Sequence, residues 1–170
     1  MSSYANSSFA SPTATCDAEP LCSHRGEAQL EQSTDPLSRL RAINEQAAFN
    51  RWCGFELVAA EPGGATLAMS WREEAGQYSR FLHAGVVGAL IDTACGFAAA
   101  TLTGRVLASH YSINFLRPAV GRRFIARARV VKPGKSQIFT ACELYAVNDA
   151  GEKLVATGET LLLVINGGME

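Results

Sequence analysis

From Ala84 to Leu102 the chain reads AGVVGALIDTACGFAAATL, with Asp92 as its one charged residue. A helix apolar on every side must be covered along its length, and a carboxylate inside it is costly unless hydrogen-bonded, paired or put to use. At 100° per residue, Gly85, Gly88, Ala89, Cys95, Gly96 and Ala99 lie within about 60° of Asp92. The bulky Val86, Val87, Leu90, Ile91 and Phe97 fall elsewhere. Asp92 therefore projects from a face of small side chains, which either packs closely against a sheet or partner helix or leaves room for a ligand. The length is borderline for a membrane span, but a central Asp among Ala and Gly suits a buried helix of a soluble protein.

Working outward, Asp35-Pro36 opens a helix in the favoured cap-then-proline order, running to about Asn50. Leu37, Leu40, Ile43, Ala47 and Trp52 form its apolar side. Phe55–Ala60, a Pro62-Gly63-Gly64 turn and Ala65–Trp71 read as a hairpin, with Ala65, Leu67, Met69 and Trp71 on one face. After the long helix, which ends near Gly104, come four strands, about 106–117, 122–132, 136–147 and 153–165. Pro118 and Gly121, Pro133-Gly134 and Asn148-Asp149-Ala150-Gly151 punctuate them. In the second of these strands Phe124, Ala126, Ala128 and Val130 alternate with Arg123, Arg127 and Arg129, so one face is wet. The order is helix, two strands, buried helix, four antiparallel strands: an α+β domain over residues 34–170, its long central helix wrapped by one curved antiparallel sheet. Whatever the sheet leaves bare must meet another subunit, so the pattern predicts a dimer.

Residues 1–33 are rich in Ser, Ala and Thr without apolar periodicity and read as a disordered leader. They carry no basic-then-apolar signal, so secretion is not indicated. A chain of 170 residues with net charge −1 holds one domain and has no global attraction to nucleic acid or an anionic membrane. The five cysteines are odd in number and widely spaced, which suits a reducing cytosol rather than a disulfide framework. Cys16, Cys22 and His24 imitate part of a zinc site, yet no second ligand pair follows. The expectation is a cytoplasmic protein with no metal or other cofactor.

The text around Asp92 resembles the hotdog-fold acyl-CoA thioesterases of the phenylacetate-pathway (PaaI-like) group. There the motif is roughly His-Gly-Gly, with Asp or Glu on a helix nine positions after the His; here it stands as His83-Ala84-Gly85-Val86-Val87-Gly88-Ala89-Leu90-Ile91-Asp92. Ile113-Asn114-Phe115-Leu116-Arg117-Pro118-Ala119 is similar to the family's strand ending in Phe-Leu-Arg-Pro. Lys132-Pro133-Gly134-Lys135-Ser136 is similar to its strand-turn-strand, and Leu154-Val155-Ala156-Thr157-Gly158 to its last strand. The likeness covers about residues 50–165. It departs from the pattern at Ala84, which replaces a Gly but keeps the backbone N–H, and at Ala108, where relatives often carry Ser or Thr. Gln77 occupies a place six before the His where relatives have Asn or Gln.

The resemblance implies thioester hydrolysis of an aryl or medium-chain acyl-CoA to free acid and CoA. Asp92 acts as general base or as nucleophile, and both roles need an ionised carboxylate. Backbone N–H groups of Ala84 and Gly85, at the positive end of the helix dipole, form the oxyanion hole. Family sites form between subunits, so Gln77 and His83 of one chain face Asp92 of the other, Gln77 orienting water or substrate and His83 shaping the loop. Arg117, Arg122, Arg123, Lys132 and Lys135 sit around turns at strand ends, where phosphates dock or where a basic face is simply solvated. Gly88, Gly96, Ser109, Asn114 and Ser136 complete the expected substrate contacts, in a homodimer or dimer of dimers. The alternatives are a hotdog thioesterase acting on an acyl-carrier protein, a hydratase, whose Gly-Asp and Asn-Pro patterns are absent, and a non-catalytic acyl-CoA-binding protein.

Overall fold

In the computed structural model, which describes residues 35–165, the first described element is a capped helix. The Asp35 carboxylate accepts from the N–H groups of Leu37 and Ser38 at 3.3 and 3.1 Å, and Pro36 fills the first turn of α1 (Pro36–Gln46). The predicted single helix to Asn50 is in fact two. Ala47 turns extended (φ −71°, ψ 109°), and a short α2 (Ala48–Cys53) follows, closed by Gly54 in the left-handed region at φ 70°. Arg51 makes the break possible: its guanidinium donates to the Glu45 and Gln46 carbonyls at 2.7 and 2.8 Å, which α1 leaves without partners. Leu40 is buried as expected, whereas Trp52 is half exposed and Asn44, a polar residue, is buried in its stead.

The hairpin β1 (Glu56–Glu61) and β2 (Gly64–Ser70) leads through a 3₁₀ turn at Glu73–Ala75 to the long helix α3 (Ala84–Thr103). Four strands follow: β3 (Val106–Phe115), β4 (Arg123–Lys132), β5 (Gln137–Asn148) and β6 (Gly151–Val164). All six strands pair antiparallel in the order β1-β2-β4-β5-β6-β3. β3 leaves its sequence neighbour β4 and crosses to the far edge beside β6, with Ile113 opposite Gly158. The pattern in β4 is as predicted, Phe124, Ala126 and Ala128 being buried.

The sheet curls around α3, which is apolar and long enough to cross a bilayer yet serves as the core. Leu90, Ile91, Ala94 and Cys95 of α3 are wholly enclosed with Leu67, Met69, Phe124 and Leu144 of the sheet. Burying each such side chain contributes roughly 1.5–3 kcal/mol. The helix lies so close to β6 that a Cβ at Gly158 would stand 2.7 Å from Ile91 Cγ2 and 3.0 Å from the Ser112 carbonyl. Cys16, Cys22, His24 and the predicted leader lie outside the described residues.

Candidate active site

His83 starts α3. Its backbone is extended (φ −61°, ψ 137°), and its imidazole Nδ1 accepts from the Gly85 N–H at 3.0 Å. The contact caps the helix start by giving one of its free N–H groups a partner. Val86 and Val87 donate to the His83 carbonyl. Of the two N–H groups expected to polarise a carbonyl, Gly85 is therefore already engaged, and Ala84 is the one with no acceptor among the described residues. The preceding loop is pinned by Gln77 N–H to the Phe81 carbonyl at 2.8 Å, His83 N–H to the Ala75 carbonyl at 2.9 Å and Leu82 N–H to the Ala119 carbonyl at 3.0 Å. Gln77 Oε1 accepts from Ser79 N–H at 2.8 Å, and its Nε2 donors have no acceptor among the described residues.

Gln77, His83 and Ala84 line one cavity of about 550 Å³, completed by Phe115 at the end of β3 and by Leu116 and Arg117 just after it. Asp92 lies elsewhere. It opens into a second cavity of about 890 Å³ that runs along one flank of α3 past Thr93, Gly96, Phe97 and Ala100. α1 forms one wall of that cavity with Leu40 and Ile43, and the start of β3 forms another with Val106, Leu107 and Ala108. The two cavities share no lining residue. Burial pushes the Asp92 carboxyl above the ordinary carboxylate range, and its Oδ1 is enclosed without a hydrogen-bond partner. Arg39 and Arg105 sit in the same cavity, Arg39 with one guanidinium N–H on the Ala100 carbonyl at 3.0 Å.

The small-residue face predicted around Asp92 is divided. Gly96 borders the cavity, and a Cβ there would meet nothing within 4 Å. Cys95 and Ala99 are buried instead, and Gly88 lies under β3, where a Cβ would come within 3.1 Å of Ile113 Cδ1. One turn beyond Asp92 the buried Cys95 thiol is held below its usual value, chiefly by a hydrogen bond with Cys142, whose own thiol the same contact pushes up.

Other expected substrate contacts are dispersed. Ser109 sits in a β-bulge and donates to the Leu161 carbonyl at 3.1 Å, and Asn114 is exposed on the edge strand; neither reaches a cavity. Arg123 is paired with Glu56 at 2.8 Å, and Arg122 with Asp149. The predicted basic cluster is split by the register. Arg117, Arg122 and Arg123 lie at the end of the sheet where β3 finishes, and Lys132, Lys135 and Ser136 at the end where it begins. The sequence reading missed Arg39, Asn50 and Arg105, which come to the Asp92 cavity from elements it treated as a covering helix and a turn.

The thioesterase superfamily model matches residues 80–153, a span that starts before His83, holds all of α3 and ends in β6. A thioesterase family protein from Silicibacter pomeroyi is 33% identical with a TM-score of 0.76, covering 78% of this chain and 100% of its own. The PaaI protein of E. coli, from the phenylacetic acid degradation operon, is 26% identical with a TM-score of 0.70, over 78% of this chain and 94% of its own. A thioesterase from Haemophilus influenzae shares the fold at 24% identity and a TM-score of 0.69, over 79% of this chain and 93% of its own. The chain belongs to the thioesterase superfamily, with a hotdog fold of the PaaI-like kind. It is a thioester hydrolase.

Proposed function

We propose that the protein hydrolyses acyl-CoA thioesters, with aryl or medium-length acyl groups, in a site completed by a second copy of the chain. Asp92 supplies the attack on the thioester carbonyl, and the Ala84 N–H with the Gln77 amide receives the oxyanion. The observation that carries this reading is the separation of the two groups. Ala84 and Asp92 are eight residues apart on one helix, roughly 12 Å along its axis, and they open into different cavities. A donor and an attacking group must both come within about 3–3.5 Å of one carbonyl to act on it.

β3 links the two half-sites. Its first residues wall the Asp92 cavity, its end walls the Ala84 cavity, and among the described residues its outer edge has no strand beside it. Two such edges paired antiparallel set the start of one strand beside the end of the other, so that each Asp92 cavity joins the partner's Ala84 cavity. An unpaired edge of ten residues is itself a template for such pairing. The same pairing brings Arg105 of one chain toward Arg117 of its partner, a pair of cations for the CoA phosphates. The free, buried thiols of Cys53, Cys95 and Cys142 fit a cytoplasmic home.

The test is thiol release from acetyl, medium-chain, phenylacetyl and hydroxybenzoyl CoA, with Asp92→Asn as control and an acyl-carrier protein as competing substrate. Turnover of aryl or medium-chain CoA that Asp92→Asn abolishes supports the reading. Preference for the carrier protein would replace CoA as the substrate, and unchanged turnover in Asp92→Asn would remove Asp92 from the chemistry.

A further inference from the structure

A water molecule that attacks a carbonyl must be held with a lone pair forward, and one acceptor fixes only one of its two hydrogens. Of the two Asp92 oxygens Oδ1 is enclosed, which leaves one acceptor for the cavity. The junction of α1 and α2 supplies another. Asn44 Nδ2 donates to the Phe55 carbonyl at 2.7 Å, and because a carbonyl only accepts, the orientation of this amide is fixed. Asn44 Oδ1 then receives Asn50 Nδ2 at 3.0 Å, which fixes the second amide as well. Asn50 Oδ1 is left with no donor among the described residues, on a buried side chain that lines the Asp92 cavity.

One cavity brings these groups together. Arg39 of α1 is bonded to Ala100 near the end of α3, and Asn50, eleven residues further along the chain, lines the same cavity as Asp92. The β3 wall contributes no competing polar group: Ala108 has no polar side-chain atom, and the Ser109 hydroxyl is engaged by Leu161. Asp92 Oδ1 is enclosed, so the acceptor Asp92 turns to the cavity is Oδ2. With Asn50 Oδ1 it makes two acceptors without donors among the described residues, on two residues of one cavity lining, and these match the two hydrogens of one water.

We infer that Asn50 is a second catalytic residue, which with Asp92 holds the hydrolytic water across the cavity. This deepens the proposed reading of Asp92 and commits it to general-base catalysis. The water oxygen forms a bond to the thioester carbonyl carbon while its first proton passes to the Asp92 carboxylate. The carbonyl electron pair moves onto oxygen and then returns, the C–S bond breaks, and the departing thiolate takes the proton that Asp92 holds. The second hydrogen, held on Asn50 Oδ1, stays with the product acid.

Two substitutions test it. Asn50→Leu keeps the size and deletes the oxygen; it is expected to lower kcat about 10- to 100-fold at every pH with KM within about twofold. Asn50→Asp keeps an acceptor at the same place and adds a second carboxylate. It is expected to restore kcat at alkaline pH while the acid limb of the kcat profile moves to higher pH, since each charge disfavours the other. Among the described residues, Arg39 of α1 and Arg105 after α3 line the same cavity and Cys95 of α3 is electrostatically linked to Asp92; all are unchanged in these variants. A folded Asn50→Leu protein with wild-type kcat, or an acid limb that does not move in Asn50→Asp, overturns the inference. Labelled oxygen from solvent found in the Asp92 carboxyl after a single turnover also overturns it, while leaving Asp92 as the attacking group. Loss of activity in Asp92→Asn without loss in Asn50→Leu likewise refutes the role of Asn50 alone. An active Asp92→Asn would instead remove the reading on which it rests.

Discussion

The cavity at the start of α3 offers donors, the Ala84 N–H, the Gln77 amide and Arg117, and no carboxylate; the cavity along its flank offers Asp92 and Asn50 oxygens that lack donors. One is shaped by backbone: a capped helix start and a loop pinned by main-chain hydrogen bonds. The other is shaped by side chains on three separate elements. The contrast teaches where each chemical requirement is met. On the proposed reading the oxyanion donor comes from a helix terminus, where N–H groups are free by geometry, whereas the carboxylate of raised pKa sits in the enclosed middle of the helix.

The largest effect that tests this contrast is loss of the carboxylate. Asp92→Asn should lower kcat by about 10²- to 10⁴-fold, the usual contribution of a positioned base. It should also stabilise the fold. The folded-state pKa of Asp92 lies above the unfolded one, so the native state binds more protons, and wild-type stability falls as pH rises through that window. The asparagine variant should lose this slope and melt higher at pH 7–8. A variant that melts no higher than wild type at pH 8 and keeps the same pH dependence of melting would show that the Asp92 carboxyl is not desolvated in the fold.

Next comes the donor. Ala84→Pro deletes one N–H and nothing else of the helix, because proline is tolerated at the first helical position and His83 already has the extended backbone that precedes proline. A kcat about 10²- to 10³-fold lower, with the melting temperature nearly unchanged, is expected. Mixing this variant with Asp92→Asn after reversible unfolding is sharper still. Each mixed dimer regains one site with both groups intact, so activity should return to about a quarter of wild type in a two-fold symmetric pair. No recovery would place both groups in one chain's site.

Much of this arrangement was legible in the chain itself. The period and small residues of Ala84–Leu102 located α3 and its carboxylate, and turn residues located every strand to within a few positions. What escaped was set by contacts distant in sequence. The break at Ala47 depends on Arg51 capping α1, and the Asn44–Asn50–Phe55 relay exists only once α2 folds back on β1. The split of the basic residues follows from β3 crossing to the far edge, a pairing that no local pattern encodes. Ser109 left the expected register through a bulge, which shifts side chains relative to a regular strand.

The smallest predicted effect compares two glycines eight residues apart on α3. Gly96 and Gly88 both pay the helix penalty of glycine, about 1 kcal/mol relative to alanine. At Gly96 an added Cβ meets open cavity, so Gly96→Ala should collect that stabilisation and raise the melting temperature by roughly 2–4 °C. At Gly88 the same atom presses on Ile113 Cδ1 at 3.1 Å under the edge strand, and the crowding should offset the gain. The substrate profile should separate them further, because only Gly96 borders the space beside Asp92. Gly96→Val should cut kcat/KM for the longest acyl group accepted while sparing acetyl-CoA; equal losses across the series would mean that the acyl chain does not lie along that flank of α3.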